Sequence, residues 1–121
     1  MTKWKASLKM TVSDNTQKLL SCLGLCARAR KIVFGVPMVC DAMKKGGASK
    51  PLLVLEACDT SENTHKRITD KCRFYNVRLV RIECTGETLA AALGKTSALG
   101  AVALTDASFC AMVEKYTENT K

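Results

Sequence analysis

At 121 residues the chain has the length of one domain and can bury a core without metal or disulfide staples. Its composition, 47% hydrophobic and 25% charged, excludes a disordered or fibrous chain. The 19 lysines and arginines against 11 acids, a net charge of +8, point to an anionic partner, most simply a nucleic-acid backbone.

Residues 1–12 carry Lys3, Lys5 and Lys9 with no acid and no clear periodicity, and read as a flexible basic arm ahead of a single domain over 13–121. Order is expected from SDNTQKLLSCLGLCARAR, where Ser13 or Asp14 can cap a helix and Leu19, Leu20, Leu23, Cys26 and Ala27 recur along one face. KIVFG, stopped by a glycine, reads as a strand. In the next helix, VPMVCDAMKK, residues Val36, Val39, Cys40 and Met43 share a side suited to lying on a sheet, while Met38, Asp41 and Lys45 face away. Pro37 falls in the first turn, where its missing N–H costs nothing.

PLLVLEA is a continuous apolar run, as in a strand covered on both faces. DTSENTHKRITDKCRFYN predicts a helix, with Asp59 and Glu62 spaced as a capping box and Glu62 and Lys66 as a pair one turn apart. Its apolar face runs His65, Ile68, Cys72 and Tyr75, which puts His65 at the edge of the core. VRLVRIE alternates apolar and basic residues like an edge strand. TGETLAAALG predicts a short helix, AVALT a buried strand, and DASFCAMVEKYTE a last helix capped by Asp106. Four strands alternating with five helices give an α/β/α sandwich.

No segment has the length and apolarity needed to span a bilayer, and no helix sets a basic face against a Trp, Phe and Leu face, so a membrane is not the expected partner. Seven cysteines, an odd number without a secretory signal, predict reduced thiols in a cytoplasm, most of them small buried hydrophobes. There is no CxxC pair and only one histidine, so neither a structural zinc nor a Cys-His nucleophile is expected. GxSxG elbows, phosphate-cradling loops and dinucleotide fingerprints are lacking, and no catalysis or cofactor is expected.

LLSCLGLCARARKIVFG, SENTHKRITDKCRFYNV and LGKTSALGAVALTD resemble the YlxQ-like bacterial branch of the kink-turn-binding ribosomal protein family, which also includes archaeal ribosomal protein seven-Ae and eukaryotic ribosomal protein thirty-e. The resemblance runs from about residue 13 to 117, and ENTHKRITDKC is its most specific stretch. It implies a three-layer α/β/α sandwich with a mixed four-stranded sheet, and a non-catalytic protein that grips structured RNA. The grip would lie at the N-terminal end of the second helix, helped by an apolar loop before the last strand.

Carried over by position, the resemblance puts Gly35 at the start of the RNA-reading helix and Lys45 near its end, with Leu99 and Gly100 as the apolar loop tip beside Lys95. Ser61 and Asn63 fall at the same end; for both, helix capping is an equal explanation, and for Leu99 a side chain folded back onto the core. The Asn-Glu-x-x-Lys signature of kink-turn readers falls on Pro37, Met38 and Asp41, and none of the three matches. Each lost base-edge pair costs about 1–3 kcal/mol of discrimination, which argues against kink-turn reading of the usual kind. Backbone charge remains: residues 1–60 carry 10 basic and 4 acidic residues, 61–121 carry 9 and 7. Arg28, Arg30 and Lys31 precede the first strand, and Lys44, Lys45 and Lys50 follow the second helix.

Two functions compete. The first is a monomeric, ribosome-associated protein holding rRNA or another folded RNA on a basic surface around the second helix and the 96–101 loop. The second is a protein-interaction module of the translation or transcription machinery that uses exposed Met38.

Overall fold

In the computed structural model, which describes residues 14–47 and 50–117, helices and strands alternate along the chain. They are α1 (Asp14–Arg28), β1 (Ile32–Phe34), α2 (Val36–Lys45), β2 (Leu53–Glu56), α3 (Glu62–Phe74), β3 (Arg78–Arg81), α4 (Gly86–Ala92), β4 (Ala101–Leu104) and α5 (Ala107–Thr117). Every element expected from the sequence is present. The basic arm over 1–12 and the possible cap Ser13 lie outside the described residues.

The strands form one sheet in the order β1-β4-β2-β3. β4 runs antiparallel to both neighbours, with Ile32 opposite Leu104 on one side and Leu53 opposite Leu104 on the other. β2 and β3 are parallel, with Leu53 opposite Arg78 and Glu56 opposite Arg81. The sheet is therefore mixed, as the resemblance implied, and β3 is an edge strand, as its alternation implied. Because β1, β2 and β3 share one direction, the sheet has two distinct ends. Gly35, residues 57–61 and the start of β4 lie at one, and Lys31, Leu52, Val77 and Thr105 at the other.

Alternation along the central strands divides the core in two. Leu53, Leu55, Val102 and Leu104 pack with Leu19, Leu23 and Cys26 of α1, Leu89 of α4 and Val113 of α5. Val54, Ala101 and Ala103 face the other way, against Val39 and Met43 of α2 and Ile68 and Cys72 of α3. Each large aliphatic side chain buried here stabilises the fold by about 1.5–3 kcal/mol. Two helices thus cover one face and three the other, completing the expected sandwich.

Helix caps follow the sequence in part. Asp106 caps α5 as expected, its Oδ1 accepting from the N–H groups of Ser108 (2.8 Å) and Phe109 (3.2 Å). The capping box expected from Asp59 and Glu62 does not form. Ser61 is the N-cap of α3, its Oγ accepting from the N–H of Thr64 at 3.2 Å, because the helix begins at Glu62. The Asp59 carboxylate instead accepts from the Gly86 N–H at 2.9 Å, tying the start of α4 to the loop before α3. Glu62 and Lys66, both exposed, do not form the ion pair their spacing suggested.

The C-termini of α1 and α3 close in the same way. After α1, the N–H of Arg30 bonds the carbonyl of Ala27 and that of Lys31 the carbonyl of Cys26, both at 3.0 Å. After α3, Asn76 bonds Arg73 and Val77 bonds Cys72. This double closure needs a left-handed residue in its middle, and glycine is the usual choice. Here Arg30 (φ 60°) and Asn76 (φ 57°) fill the places.

Candidate nucleic-acid interface

β1 ends at Phe34, and the chain turns into α2 through Gly35, whose φ of 87° favours glycine. The Gly35 N–H bonds the Ala101 carbonyl at 2.9 Å, so the start of α2 is held against the start of β4. No side chain caps α2, and Pro37 in its first turn offers no donor. The N-terminal end of α2 therefore carries its positive dipole end without a side-chain cap.

Beside it opens a groove of about 490 Å³. Gly35, Val36 and Pro37 form one wall, Asp59, Thr60, Thr64 and Arg67 the other, and Gly86 with Ala98, Leu99 and Gly100 the third side. Gly100 keeps the groove open at its narrow point. A Cβ there would stand 3.2 Å from Val36 Cγ2 and 3.4 Å from Thr60 Cγ2.

The Thr60 wall is anchored from below. Glu56, at the end of β2, has no solvent exposure, and its carboxylate accepts from Thr60 Oγ1 at 2.5 Å. His65 Nδ1 lies 2.8 Å from Oε1 and 3.0 Å from Oε2 of the same group. Arg81 completes the bracing, with Nη2 bonding the Cys58 carbonyl at 3.1 Å and Thr60 Oγ1 at 3.4 Å. His65 thus sits at the core's edge, as expected. The reason was not legible in PLLVLEA, where Glu56 passed as the tail of an apolar run.

The residues singled out from the sequence fall into two groups. Gly35, Pro37 and Met38 lie at the groove mouth or beside it, and Met38 is exposed (58%), as its helical position required. Ser61 and Asn63 stand exposed at the start of α3; Ser61 is engaged as a cap. Lys95 holds its Nζ 4.2 Å from the Phe34 ring centroid. Leu99 is not an apolar tip: its side chain is 9% exposed and belongs to the core under α1, α4 and α5. The loop folds inward because Leu99 N–H bonds the Gly86 carbonyl at 3.1 Å.

The second group does not join the first. Arg28, Arg30 and Lys31 precede β1, whereas Gly35 follows it, so the sheet's length separates them from the groove. Lys44, Lys45 and Lys50 likewise lie past the C-terminal end of α2 or in its last turn. Asp41, in the middle of α2, pairs with Lys45 at 3.3 Å, an exposed i,i+4 contact that occupies both charges. The basic residues expected around the groove therefore gather at the opposite end of the sheet, away from the start of α2 and the 96–101 loop.

Thr60, Thr64 and Arg67 escaped the sequence reading. Thr64 and Arg67, three residues apart on α3, adjoin the Ile68 and Cys72 stripe, and that was the available signal; Thr60 precedes the cap and gave none.

All seven cysteines are free thiols, and only Cys58 is exposed. Burial pushes Cys26, Cys72 and Cys110 up to about 11 and Cys84 up to about 12, away from reactive thiolates. Among the described residues no group of three or more His, Cys, Asp or Glu could hold a metal ion, and no helix is long and apolar enough to cross a membrane.

A mixed four-stranded sheet between helix layers, with a groove at the start of the second helix, defines an α/β/α sandwich of the ribosomal-protein type. The chain belongs to the ribosomal protein L7Ae/L30e/S12e/Gadd45 family, whose model matches residues 17–113. It is 39% identical over 87 residues to the RNA-binding protein YlxQ of Bacillus subtilis (strain 168), covering 72% of this chain and 82% of that protein. It is 35% identical over 63 residues to RNA-binding protein YlxQ of Enterococcus faecium, covering 52% of this chain and 58% of that protein. A solved protein of unknown function from Bacillus halodurans C superimposes with a TM-score of 0.74 at 30% identity, over 84% of this chain and 97% of that one. The fold is shared with the 15.5kD RNA binding protein of Giardia lamblia, TM-score 0.70 at 16% identity, over 93% and 92% of the two chains. These matches bear out the YlxQ-like resemblance and mark the chain as non-enzymatic.

Proposed function

We propose that the chain is a non-catalytic RNA-binding protein that holds structured RNA in the groove at the start of α2. The observation that carries this reading is the groove itself. An uncapped helix N-terminus, the Arg67 wall and the 98–100 loop converge where the family resemblance implies an RNA grip. The relatives named RNA-binding protein support it.

Recognition here is by shape, stacking and charge. Pro37 and Met38 bring no base-edge hydrogen bonds, but exposed Met38 offers a polarisable surface for an unstacked base. Asp41 is already matched by Lys45. A kink-turn duplex and a control duplex with its sheared pairs replaced will therefore bind about equally. The setting we propose is cytoplasmic and ribosome-associated, with the chain monomeric. The test is Arg67→Glu, which removes the exposed cation of the groove wall. It weakens binding of an internal-loop RNA by fluorescence anisotropy, and unchanged affinity would place the RNA elsewhere.

Exposed Met38 also favours a second reading, a protein-interaction module on the same fold. Pull-downs with and without nuclease separate them: partners that survive RNA digestion speak for the module.

A further inference from the structure

The end of the sheet opposite the groove carries chemistry that the groove does not use. The segments closing that end, residues 29–31, 50–52, 75–77 and 105–106, hold Arg30, Lys31 and Lys50 against a single acid, Asp106, which is engaged as the cap of α5. The segments closing the groove end, residues 57–61, 82–85 and 93–100, show the reverse, with Asp59 and Glu83 against Lys95. The last turns of α1, α2 and α3 add further lysines and arginines to the far end.

Basic last turns complement helix dipoles and by themselves require no ligand. Two features have no such explanation. Phe74, on the last turn of α3, is 79% exposed, and its ring is braced by half-buried Tyr75 at 4.8 Å and 85°. An aromatic ring left this far in water forgoes burial and offers a face for stacking. The second is Arg30, exposed and left-handed where glycine would fit without strain. Between them lies Leu52, 46% exposed, beside Val77 by the parallel register of β2 and β3. Across the four strands the span from β1 to β3 is about 15 Å.

We propose that this end is a second RNA contact that takes a single-stranded segment flanking the structured element. A base stacks on Phe74, and phosphates lie along Lys50, Lys31 and Arg30. The positive charge selects a polyanion over a protein partner, and the stacking face selects a single strand, whose bases are available, over a closed duplex. The inference rests on the RNA-binding reading but uses the end of the sheet away from the groove.

The test titrates the full chain with three RNAs: an internal-loop duplex, the same duplex with a single-stranded uridine extension, and the uridine strand alone. The wild type binds the extended RNA more tightly than the bare duplex. Phe74→Ala, at an exposed position, removes that gain, a loss of roughly fivefold or more. The Lys31→Glu, Lys50→Glu double variant removes it too. It also flattens the salt dependence for the uridine strand by about 0.7 in log-log slope for each lost phosphate contact. Arg67→Glu weakens the bare duplex and keeps the gain, which separates failure of the groove reading from failure of this one. No gain from the extension, or a gain kept in both far-end variants, would overturn the proposal and leave this face to another partner.

Discussion

His65 Nδ1 lies 2.8 Å from Oε1 of Glu56, a carboxylate without solvent exposure that also accepts from Thr60 Oγ1. The contact links the central strand to the groove wall. Removing one partner strands a buried acceptor, so His65→Ala costs about 1–3 kcal/mol in urea unfolding. Amide exchange also speeds over residues 57–61, where the wall loses its brace. Unchanged exchange there would mean that Arg81 and Asp59 hold the loop without the pair.

Arg30 predicts the opposite sign. Arg30→Gly relieves a left-handed arginine while keeping both closing hydrogen bonds, and stability rises by up to about 1 kcal/mol. The same change removes a cation from the far end and lowers affinity for a single-stranded extension. A destabilised glycine variant would show that the arginine side chain contributes packing that outweighs its strain.

Gly86 is irreplaceable for a steric reason. A Cβ there would stand 2.8 Å from the Leu99 carbonyl oxygen, a backbone atom that cannot rotate away. Gly86→Ala therefore pushes the 96–101 loop outward, costs about 1–3 kcal/mol, and reshapes the groove. Chemical denaturation reads the cost, and internal-loop RNA affinity falls with it.

The buried thiols set an alkaline limit. Cys22, Cys26, Cys72, Cys84 and Cys110 all have raised pKa values, each chiefly through burial. The native state keeps these thiols protonated where the unfolded chain would ionise them. Their contribution is thus fully present below the unfolded value of 9.0 and is lost as pH climbs toward about 11 to 12. Unfolding followed from pH 8 to 11 shows stability falling across this window, and a thiol reagent at neutral pH labels Cys58 alone in the folded protein.

Much of the fold was legible because it rests on periodicity. The stripe from Leu19 to Cys26, the alternation of Arg78 to Arg81 and the unbroken run at Leu53–Leu55 each state which faces are covered. What escaped depends on contacts between distant segments. Glu56 reads as a polar residue ending a strand until His65 and Thr60 are brought to it. Asp59 reads as half of a capping box until Gly86 arrives. The basic groups near α2 read as a patch beside the groove because they flank the helix in sequence, yet both lie together at the opposite end of the sheet, a strand's or a helix's length away from it.

The proposed seat of folded RNA is the groove between the start of α2, the first turns of α3 and the 98–100 loop. Photo-crosslinking of an internal-loop RNA to the full chain, with peptide mapping, tests it most directly. Crosslinks are expected on the peptides that carry Gly35–Met38, Thr60–Arg67 and Lys95–Gly100. Crosslinks confined to other peptides, with none on these three, would contradict it.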